Sequence, residues 1–377
     1  MRKPLSVYFH IPFCTKKCYY CDFLSFPSME REREQYMNAL LKEVISSPYG
    51  GEKYKVQTVF IGGGTPSVLH GKDLEKILDG FKETFPYMAN EDREWTIEVN
   101  PCSVTRKKLS EYKQMGVNRL SIGLQSAIDE ELKRLGRVHT KEEFLHTYRQ
   151  AREEGFDNIN IDLLAALPGQ TLNSYKESLE FIVELEPEHI SSYSLIVEEG
   201  TLFHQWYQDG KGLPDEEVER EMYVYTEQYL KTKGYNRYEI SNYAKEGREC
   251  RHNLVYWQRG EYLGFGLGAS SLMEETRFQN KISMDQYKED PGKKENIKKL
   301  PLKEQMEETM FLGLRMEKGV SRIRFYERFA VDLKEIYENS LNKLEQGGFI
   351  KWRGDFLVLT KRGVDVSNQV LAQFLFD

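Results

Sequence analysis

Between residues 5 and 200 the sequence alternates short β-rich runs with amphipathic helical stretches, and this alternation limits the possible folds more than any other feature. The β-rich runs are 6–11, 58–62, 95–100, 119–125, 159–164 and 189–197. The helical stretches between them are 30–47, 71–84, 105–115, 140–154 and 171–184. Strand–helix units in series form parallel sheets with right-handed crossovers. We therefore predict an α/β fold in which residues 1–200 form a partial parallel (β/α)6 TIM-like barrel, with functional residues at the carboxyl ends of its strands.

The chain beyond residue 200 is predicted to contain two further structured parts and a linker. Residues 201–284 include a helical pattern near 215–233 and then an irregular aromatic- and glycine-rich segment, which we expect to complete the barrel. Residues 285–300 are rich in Lys and Glu and contain Pro291 and Gly292, which is typical of a solvated linker. Residues 301–377 combine helical patterns with a short hairpin and predict a smaller C-terminal winged-helix-like α+β domain.

Charge and hydropathy argue against two classes of function. The 377 residues carry a formal net charge of −7, and the mixed charge of the C-terminal module forms no basic stripe, so nucleic acid is not expected as a partner. No run of about 18 apolar residues is present to span a membrane. Because no signal-peptide pattern precedes the first strand, we expect a cytoplasmic protein whose cysteines stay reduced.

Three of the five cysteines, Cys14, Cys18 and Cys21, follow the first β-rich run with the spacing C-x3-C-x2-C. Three thiolates on one short loop can hold an iron–sulfur cluster, and in a four-iron cluster they leave one iron open to a small molecule. A zinc site that adds His10 as fourth ligand is the alternative, since Cys3His sites are common. Zinc sites usually pair C-x2-C with a second distant pair, and none follows here, so we favour the cluster.

Further polar and glycine-rich motifs occur where the predicted strands end. The second run ends in GGGTP, and glycines there allow a ligand to approach the backbone closely. Glu98, Gln125 and Asp162 end later runs, and Arg137 follows in GRVH. A carboxylate can accept hydrogen bonds from hydroxyl groups, and an arginine can pair with a ligand carboxylate in bidentate fashion. We expect these side chains to meet in one ligand site.

The motifs together resemble the radical S-adenosylmethionine (SAM) superfamily and, within it, the oxygen-independent coproporphyrinogen III oxidase group. The resemblance covers residues 5–200 through YFHIPFCTKKCYYC, GGGTP, IEVNP, LSIGLQS, GRVH and NIDLLAALPGQT. It implies a 4Fe-4S cluster on the three cysteines and SAM at its open iron. It also implies that SAM contacts Tyr8, Tyr20, Gly63, Gly64, Thr65, Glu98, Gln125, Arg137 and Asp162. The GGGTP glycines and threonine would bind the SAM amino group, and Tyr20 would lie near the adenine.

Two features separate the branches of this group. The oxidase carries a fourth cysteine two places after the third, where this chain has Phe23, and it has an N-terminal extension, whereas thirteen residues precede Cys14 here. The chain also contains H-N-x-x-Y-W, which resembles the HemW family of haem chaperones. The motif residues are His252, Asn253, Tyr256 and Trp257.

The HemW resemblance implies a protein that binds haem and passes it to an acceptor, a respiratory haem protein reached by transient contact with the membrane surface. An imidazole can ligate haem iron, and the two aromatic rings can face a porphyrin. Cys250 is a candidate second ligand. The alternatives are the oxidase, which decarboxylates coproporphyrinogen III to protoporphyrinogen IX, and a zinc protein with a winged-helix interaction module.

Overall fold

One open, mostly parallel sheet dominates the first 300 residues of this computed structural model, which describes residues 2–89 and 93–376. The strands described in this part are β1 (Lys3–Ile11), β2 (Phe13–Cys14), β3 (Phe26–Pro27), β4 (Tyr54–Gly63), β5 (Glu94–Val99), β6 (Arg119–Gln125), β7 (Ile159–Ala165), β8 (His189–Ser194), β9 (Asn236–Arg237), β10 (Asn242–Ala244), β11 (Tyr262–Phe265), β12 (Ser270–Met273), β13 (Thr276–Asn280) and β14 (Lys294–Lys299). Among them, twelve form the sheet in the order β14-β13-β12-β11-β1-β4-β5-β6-β7-β8-β10-β9, and β2 pairs with β3 beside it.

The central strands β11-β1-β4-β5-β6-β7-β8 run parallel, and the strands at both edges pair antiparallel. This confirms the predicted parallel α/β sheet, including all six expected strands. The last one is shorter than predicted, because it ends at Ser194 rather than at residue 197. The aromatic- and glycine-rich segment, expected to be irregular, instead supplies β9 to β12.

Helices connect the parallel strands and cover the outer face of the sheet. Those described in this part are α1 (Glu30–Ile45), α2 (Gly71–Thr84), α3 (Arg106–Met115), α4 (Asp129–Arg134), α5 (Lys141–Glu153), α6 (Leu172–Glu184), α7 (Leu202–Tyr207), α8 (Glu216–Thr232), α9 (Arg251–Trp257) and α10 (Met284–Glu289). In α2 the buried residues Leu74, Ile77, Leu78 and Phe81 follow the i, i+3, i+4, i+7 pattern of one helix face. Gly116 ends α3 in the left-handed conformation, as expected of a C-terminal cap.

Alternation along the parallel strands gives the barrel a polar interior. Successive strand residues point to opposite faces, and in β6 Leu120 and Ile122 belong to the apolar core shared with the helices. Arg119 and Ser121 alternate with them and line the interior cavity. The sheet therefore directs charged and hydroxyl side chains inward.

The segment predicted as a linker, 285–300, is instead part of the fold. It contains most of α10 and all of β14, which pairs with β13 at the edge of the sheet. Lys294 reaches the buried Glu43 and donates to Asn280 at 2.6 Å, and the Tyr287 hydroxyl donates to Glu43 at 2.6 Å. The lysines of this segment reflect an exposed edge strand, where charged side chains discourage pairing with other chains.

The residues from 302 onward build a separate hydrophobic core. Their described helices are α11 (Leu302–Gly313), α12 (Arg322–Phe329), α13 (Leu333–Ile336), α14 (Glu338–Gln346), α15 (Lys361–Asp365) and α16 (Ser367–Ala372). The strands β15 (Val320–Ser321), β16 (Ile350–Arg353) and β17 (Phe356–Leu359) form a small antiparallel sheet in the order β15-β17-β16. Helices beside a hairpin match the predicted winged-helix-like domain. Among the described residues, no helix combines the length and apolarity needed to cross a bilayer.

Candidate functional site

The three cysteines of the C-x3-C-x2-C motif lie on the loop after β1 and line one cavity. None of them is in a disulfide. The Thr65 hydroxyl donates to Cys14 Sγ at 3.5 Å, and Arg137 Nη1 donates to Cys18 Sγ at 3.6 Å. Such donors favour thiolate over thiol, whereas burial raises the pKa of Cys14 and Cys21. The thiols are therefore placed where a positive metal centre would complete the charge balance.

The end of β4 fits closely against this loop. The backbone N–H of Gly64 donates to the Ile11 carbonyl at 2.8 Å, and that of Thr65 donates to the Phe13 carbonyl at 2.7 Å. A Cβ atom at Gly64 would lie 2.7 Å from the Phe13 carbonyl oxygen and 3.0 Å from Cys14 Sγ. Only glycine leaves this space open, which gives GGGTP a steric role at the site.

The polar residues predicted at the strand ends meet in the same cavity. Glu98, Gln125 and Asp162 line it together with Arg137. A β-bulge between Gly123 and Gln125 and a φ of 72° at Gln125 turn this strand end toward the cavity. The expected convergence of these four side chains is therefore observed.

Arg137 is fixed by a network rather than free to move. Its Nη2 donates to the Gly123 carbonyl at 2.8 Å and to the side-chain oxygen of Asn100. Asn100 Nδ2 in turn donates to Thr65 Oγ1 at 2.8 Å, which joins the arginine to the glycine-rich segment. A guanidinium held in this way is preorganised for a ligand carboxylate.

Two acids in the cavity have pKa values above the ordinary range for a carboxyl group. Burial, and then the nearby Asp162, raise the pKa of Glu98 to about 8, although a 3.0 Å hydrogen bond from the Gly63 N–H opposes this. Burial also raises the pKa of Asp162 itself, against hydrogen bonds from Asn160 and other groups. Cationic or hydroxyl groups of a ligand would stabilise the ionised carboxylates and offset the repulsion between Glu98 and Asp162.

The tyrosines and His10 occupy different places. Tyr20 lines the cavity, while Tyr8 is set back from its wall, with its hydroxyl 3.0 Å from His10 Nδ1. His10 Nε2 lies 2.8 Å from the Leu24 carbonyl, so both of its ring nitrogens have protein partners. Zinc binding by His10 would therefore require the loss of one of these hydrogen bonds.

A larger space of about 490 Å³ adjoins the cavity that the three cysteines line. The two share Tyr20, Phe23, Glu98 and Asp162. The lining of the larger space combines polar side chains such as Arg119 and Asn160 with apolar ones such as Phe60 and Leu164. Phe23, 60% exposed, stands where the two cavities join. The interior therefore contains two adjoining cavities that share part of their lining.

Comparison with known proteins gives the family. Residues 8–182 match the Radical SAM superfamily, and residues 300–366 match the HemN C-terminal domain. Heme chaperone HemW of Bacillus subtilis (strain 168) is 38% identical over 375 residues, which cover 98% of this chain and 99% of the relative. Heme chaperone HemW of Lactococcus lactis subsp. lactis (strain IL1403) is 36% identical over 380 residues, with 100% and 99% covered. The chain belongs to the HemW family.

The fold is also that of a solved structure, coproporphyrinogen III oxidase (HemN) from Escherichia coli. The TM-score is 0.86 at 23% identity, and the match covers 99% of this chain and 90% of that one. This confirms a radical SAM fold followed by a HemN-type C-terminal domain. The likeness is one of architecture.

In this HemW-family chain the H-N-x-x-Y-W motif forms α9, and its four side chains do not share one cavity. Asn253 lines the large interior space, and Trp257 lines a cleft against the C-terminal domain. The Trp257 Nε1 is buried without a hydrogen-bond partner among the described residues. His252 and Tyr256 pair with each other at 3.0 Å.

His252 is 1% exposed, and its ring is hydrogen-bonded at both nitrogens. The Thr58 hydroxyl donates to Ser6 at 2.7 Å, so its oxygen accepts from His252 Nδ1 at 2.8 Å. This leaves Nε2 with its lone pair toward the Tyr256 hydroxyl. Burial, and then the Arg119 guanidinium, lower the pKa of His252 to about 3, so the ring is neutral. A neutral imidazole with a fixed Nδ1–H is the form that binds metals.

Cys250, the candidate second ligand, is buried at the start of α9 beside Glu94. Its thiol donates to Glu94 at 3.6 Å, and Glu94 also accepts the N–H groups of Arg251 and His252 at 3.0 Å. Burial raises the pKa of Cys250 to about 12. A thiol in this state is a poor metal ligand, because the thiolate is the form that binds.

Sequence reasoning missed several residues of the HemW-family site. Asn100 directly follows Glu98-Val99 within the IEVNP run, so its place just after a strand end was a usable signal. Arg119, Ser121 and Asn160 line the interior because they alternate with apolar residues in β6 and β7. The alternation was visible in the sequence, but which face would point inward was not.

Proposed function

We propose that this chain is a radical-SAM-fold haem chaperone that binds a 4Fe-4S cluster, SAM and haem, and passes haem to an acceptor protein. The observation that carries the proposal is near-full-length similarity to proteins named heme chaperone HemW, at 38% identity over 98% of the chain. The convergence of the cysteine loop, GGGTP and the strand-end polar residues in one cavity supports it.

The residues that would hold the cluster are Cys14, Cys18 and Cys21, and when bound it would supply an open iron for SAM and an electron source. Around SAM the chain offers a complementary set of groups. Arg137 would neutralise a carboxylate, and Gly63 to Thr65 would leave room for an amino group. Glu98 and Asp162 would accept hydrogen bonds, with Gln125 as donor or acceptor. Tyr20 would cover the adenine, and Tyr8 would support the pocket from behind.

Haem binding is assigned to the H-N-x-x-Y-W segment, with His252 as iron ligand through Nε2. The neutral ring, with Nδ1 engaged by Thr58, supports this assignment. Tyr256 would give up its hydrogen bond to Nε2, and Asn253 would contact the porphyrin in the interior space. Trp257 lines the separate cleft against the C-terminal domain and would have to turn to reach the porphyrin. Cys250 is less suited to be the second ligand, because its thiol is engaged by Glu94.

The oxidase remains the second candidate because the fold matches HemN. The residue that argues against it is Phe23, which stands in place of the oxidase's fourth cysteine and lines both cavities. A phenyl ring there offers no sulfur and adds an apolar group where the two cavities join. We therefore favour the chaperone.

The acceptor is proposed to be a respiratory haem protein, reached at the membrane surface from the cytoplasm. The five unpaired cysteines agree with a reducing compartment. The test is to load the anaerobically reconstituted protein with haem and mix it with an apo-haem protein. We expect the haem absorbance to move to the acceptor at a rate that rises with acceptor concentration. Transfer at the rate of spontaneous haem release would contradict a chaperone.

A further inference from the structure

The side chain of Arg119, at the start of β6, is a buried charge without a close partner. It is 2% exposed and lines the interior space of about 490 Å³. Its Nε has no hydrogen-bond partner, and its guanidinium forms no ion pair among residues 2–89 and 93–376. A buried charge is normally paired with an opposite charge, because moving a charged group from water into the protein interior without a partner is unfavourable. Arginine cannot escape this by losing its proton.

The groups that face Arg119 from neighbouring elements are already engaged elsewhere. Glu94 of β5 accepts the N–H groups that begin α9. Asp162 of β7 accepts from Asn160 at 2.7 Å and from Ser121 at 3.3 Å. Tyr238 and Cys250 also lie near Arg119, but burial raises the pKa of both groups, so they stay neutral and do not compensate its charge. Glu94 and Asp162 offset the charge at a distance and leave the donor fork of the guanidinium open toward the cavity.

The cavity around Arg119 has both polar and apolar lining residues. Beside Arg119 it is lined by the buried polar residues Asn160 and Ser191 and by the half-buried motif residue Asn253. Its lining also includes a set of apolar side chains, among them Phe23 and the 68% exposed Ile196, together with the carboxylates of Asp22, Glu98, Asp162 and Glu198. The other apolar lining residues are Phe60, Leu164, Tyr193 and Leu195. Such a space suits a flat apolar ligand that carries a carboxylate at one end.

We propose that Arg119 is the anchor for a carboxylate of the bound ligand, and that this carboxylate is a propionate of the porphyrin. The inference rests on the proposed haem-binding function and names the group that recognises its ligand. The guanidinium fork matches a carboxylate in bidentate geometry. Asn253 lines the same cavity, so the anchor would join the H-N-x-x-Y-W segment to the barrel interior.

The test compares haem with its dimethyl ester, in which both propionates are blocked, as ligands of the reconstituted full-length protein. Wild-type protein should prefer the free acid by roughly 10- to 100-fold in dissociation constant, the range expected for hydrogen bonds to a charged group. Arg119→Gln should bind both forms with equal, weaker affinity. Arg119→Lys should keep part of the preference, since it retains the charge without the fork. SAM affinity should not change.

The matched control is Arg152→Gln, which removes an arginine that pairs with Glu188 away from the cavity. It should keep the full preference for the free acid. Melting curves show whether each variant is folded, and the wild-type comparison needs no variant at all. Equal wild-type affinities for acid and ester would overturn the anchor while leaving haem binding intact. The anchor would also be overturned if Arg119→Gln kept the preference for the free acid. The same holds if Arg119→Gln lost affinity for SAM instead of the preference for the free acid. Wild-type protein that binds neither form would overturn the proposed function and this inference together.

Discussion

The carboxyl group of Glu98 allows a quantitative test of the electrostatics of the SAM cavity. Burial and the neighbouring Asp162 raise its pKa from the ordinary 4.5 to about 8. At about 1.36 kcal/mol per pKa unit, ionising this group in the fold destabilises the protein by up to about 5 kcal/mol. Structural relaxation and water entry reduce such effects, so we expect roughly 2–4 kcal/mol. Glu98→Gln removes the charge, and the amide oxygen can still accept the Gly63 N–H.

The effect has a defined pH dependence. Below pH 4.5 the carboxyl is protonated in both states, so wild type and variant should differ little. Between pH 4.5 and 8 the unfolded chain has lost the proton that the folded state keeps, so wild-type stability falls as pH rises. Above pH 8 the difference is constant. Glu98→Gln should therefore be more stable than wild type at high pH and nearly equal at low pH.

Urea unfolding of the cluster-free protein, followed by circular dichroism at pH 5 and pH 8.5, measures this directly. Glu75→Gln, on the exposed side of α2, is the control and should change stability by less than about 0.5 kcal/mol at both pH values. If Glu98→Gln has the same effect at both pH values, Glu98 is ionised in the fold and the proposed electrostatics of the cavity are wrong.

Three other predictions concern the individual ligand groups. Cys14→Ala should abolish the uptake of about four irons per chain on anaerobic reconstitution, and Cys250→Ala should not. Iron analysis and the cluster spectrum measure this, and zinc in place of iron would contradict the prediction. Arg137→Ala should weaken SAM binding by roughly 1.5–3 kcal/mol, the usual contribution of a charge-assisted hydrogen bond, and an unchanged affinity by calorimetry would assign the arginine to the fold alone. His252→Ala should remove or reshape the Soret band without changing the cluster spectrum. Tyr256→Phe, which frees Nε2 of His252, should keep the band. A haem spectrum that is unchanged in both variants would place the haem site elsewhere.

The fold was predictable where the spacing of apolar residues and the residues that end a helix or strand indicate the same element. Leu74, Ile77, Leu78 and Phe81 show the helical period of α2 without tertiary information, and Gly116 marks the end of α3. The edge strand β14 was not predictable in this way. Its lysines and glutamates resemble a solvated segment, and its pairing with β13 becomes evident only in the folded sheet.

The site was predictable to the extent that it lies at strand ends. Glu98, Gln125 and Asp162 could be expected to meet because parallel strands bring their carboxyl ends together. The protonation and hydrogen bonding of His252 could not be predicted, since its partner Thr58 lies 194 residues away in the chain. Arg119 was missed for a related reason: a charged residue that begins a strand usually faces solvent, and here the barrel turns it inward.

The central claim is that this chain handles haem and does not make its precursor, and one anaerobic assay tests it. The reconstituted protein, with cluster, SAM and a reductant, is incubated with coproporphyrinogen III while a parallel sample is titrated with haem. The account predicts saturable haem binding and no protoporphyrinogen IX above the level without protein. Multiple turnovers of coproporphyrinogen III to protoporphyrinogen IX would contradict it and restore the oxidase.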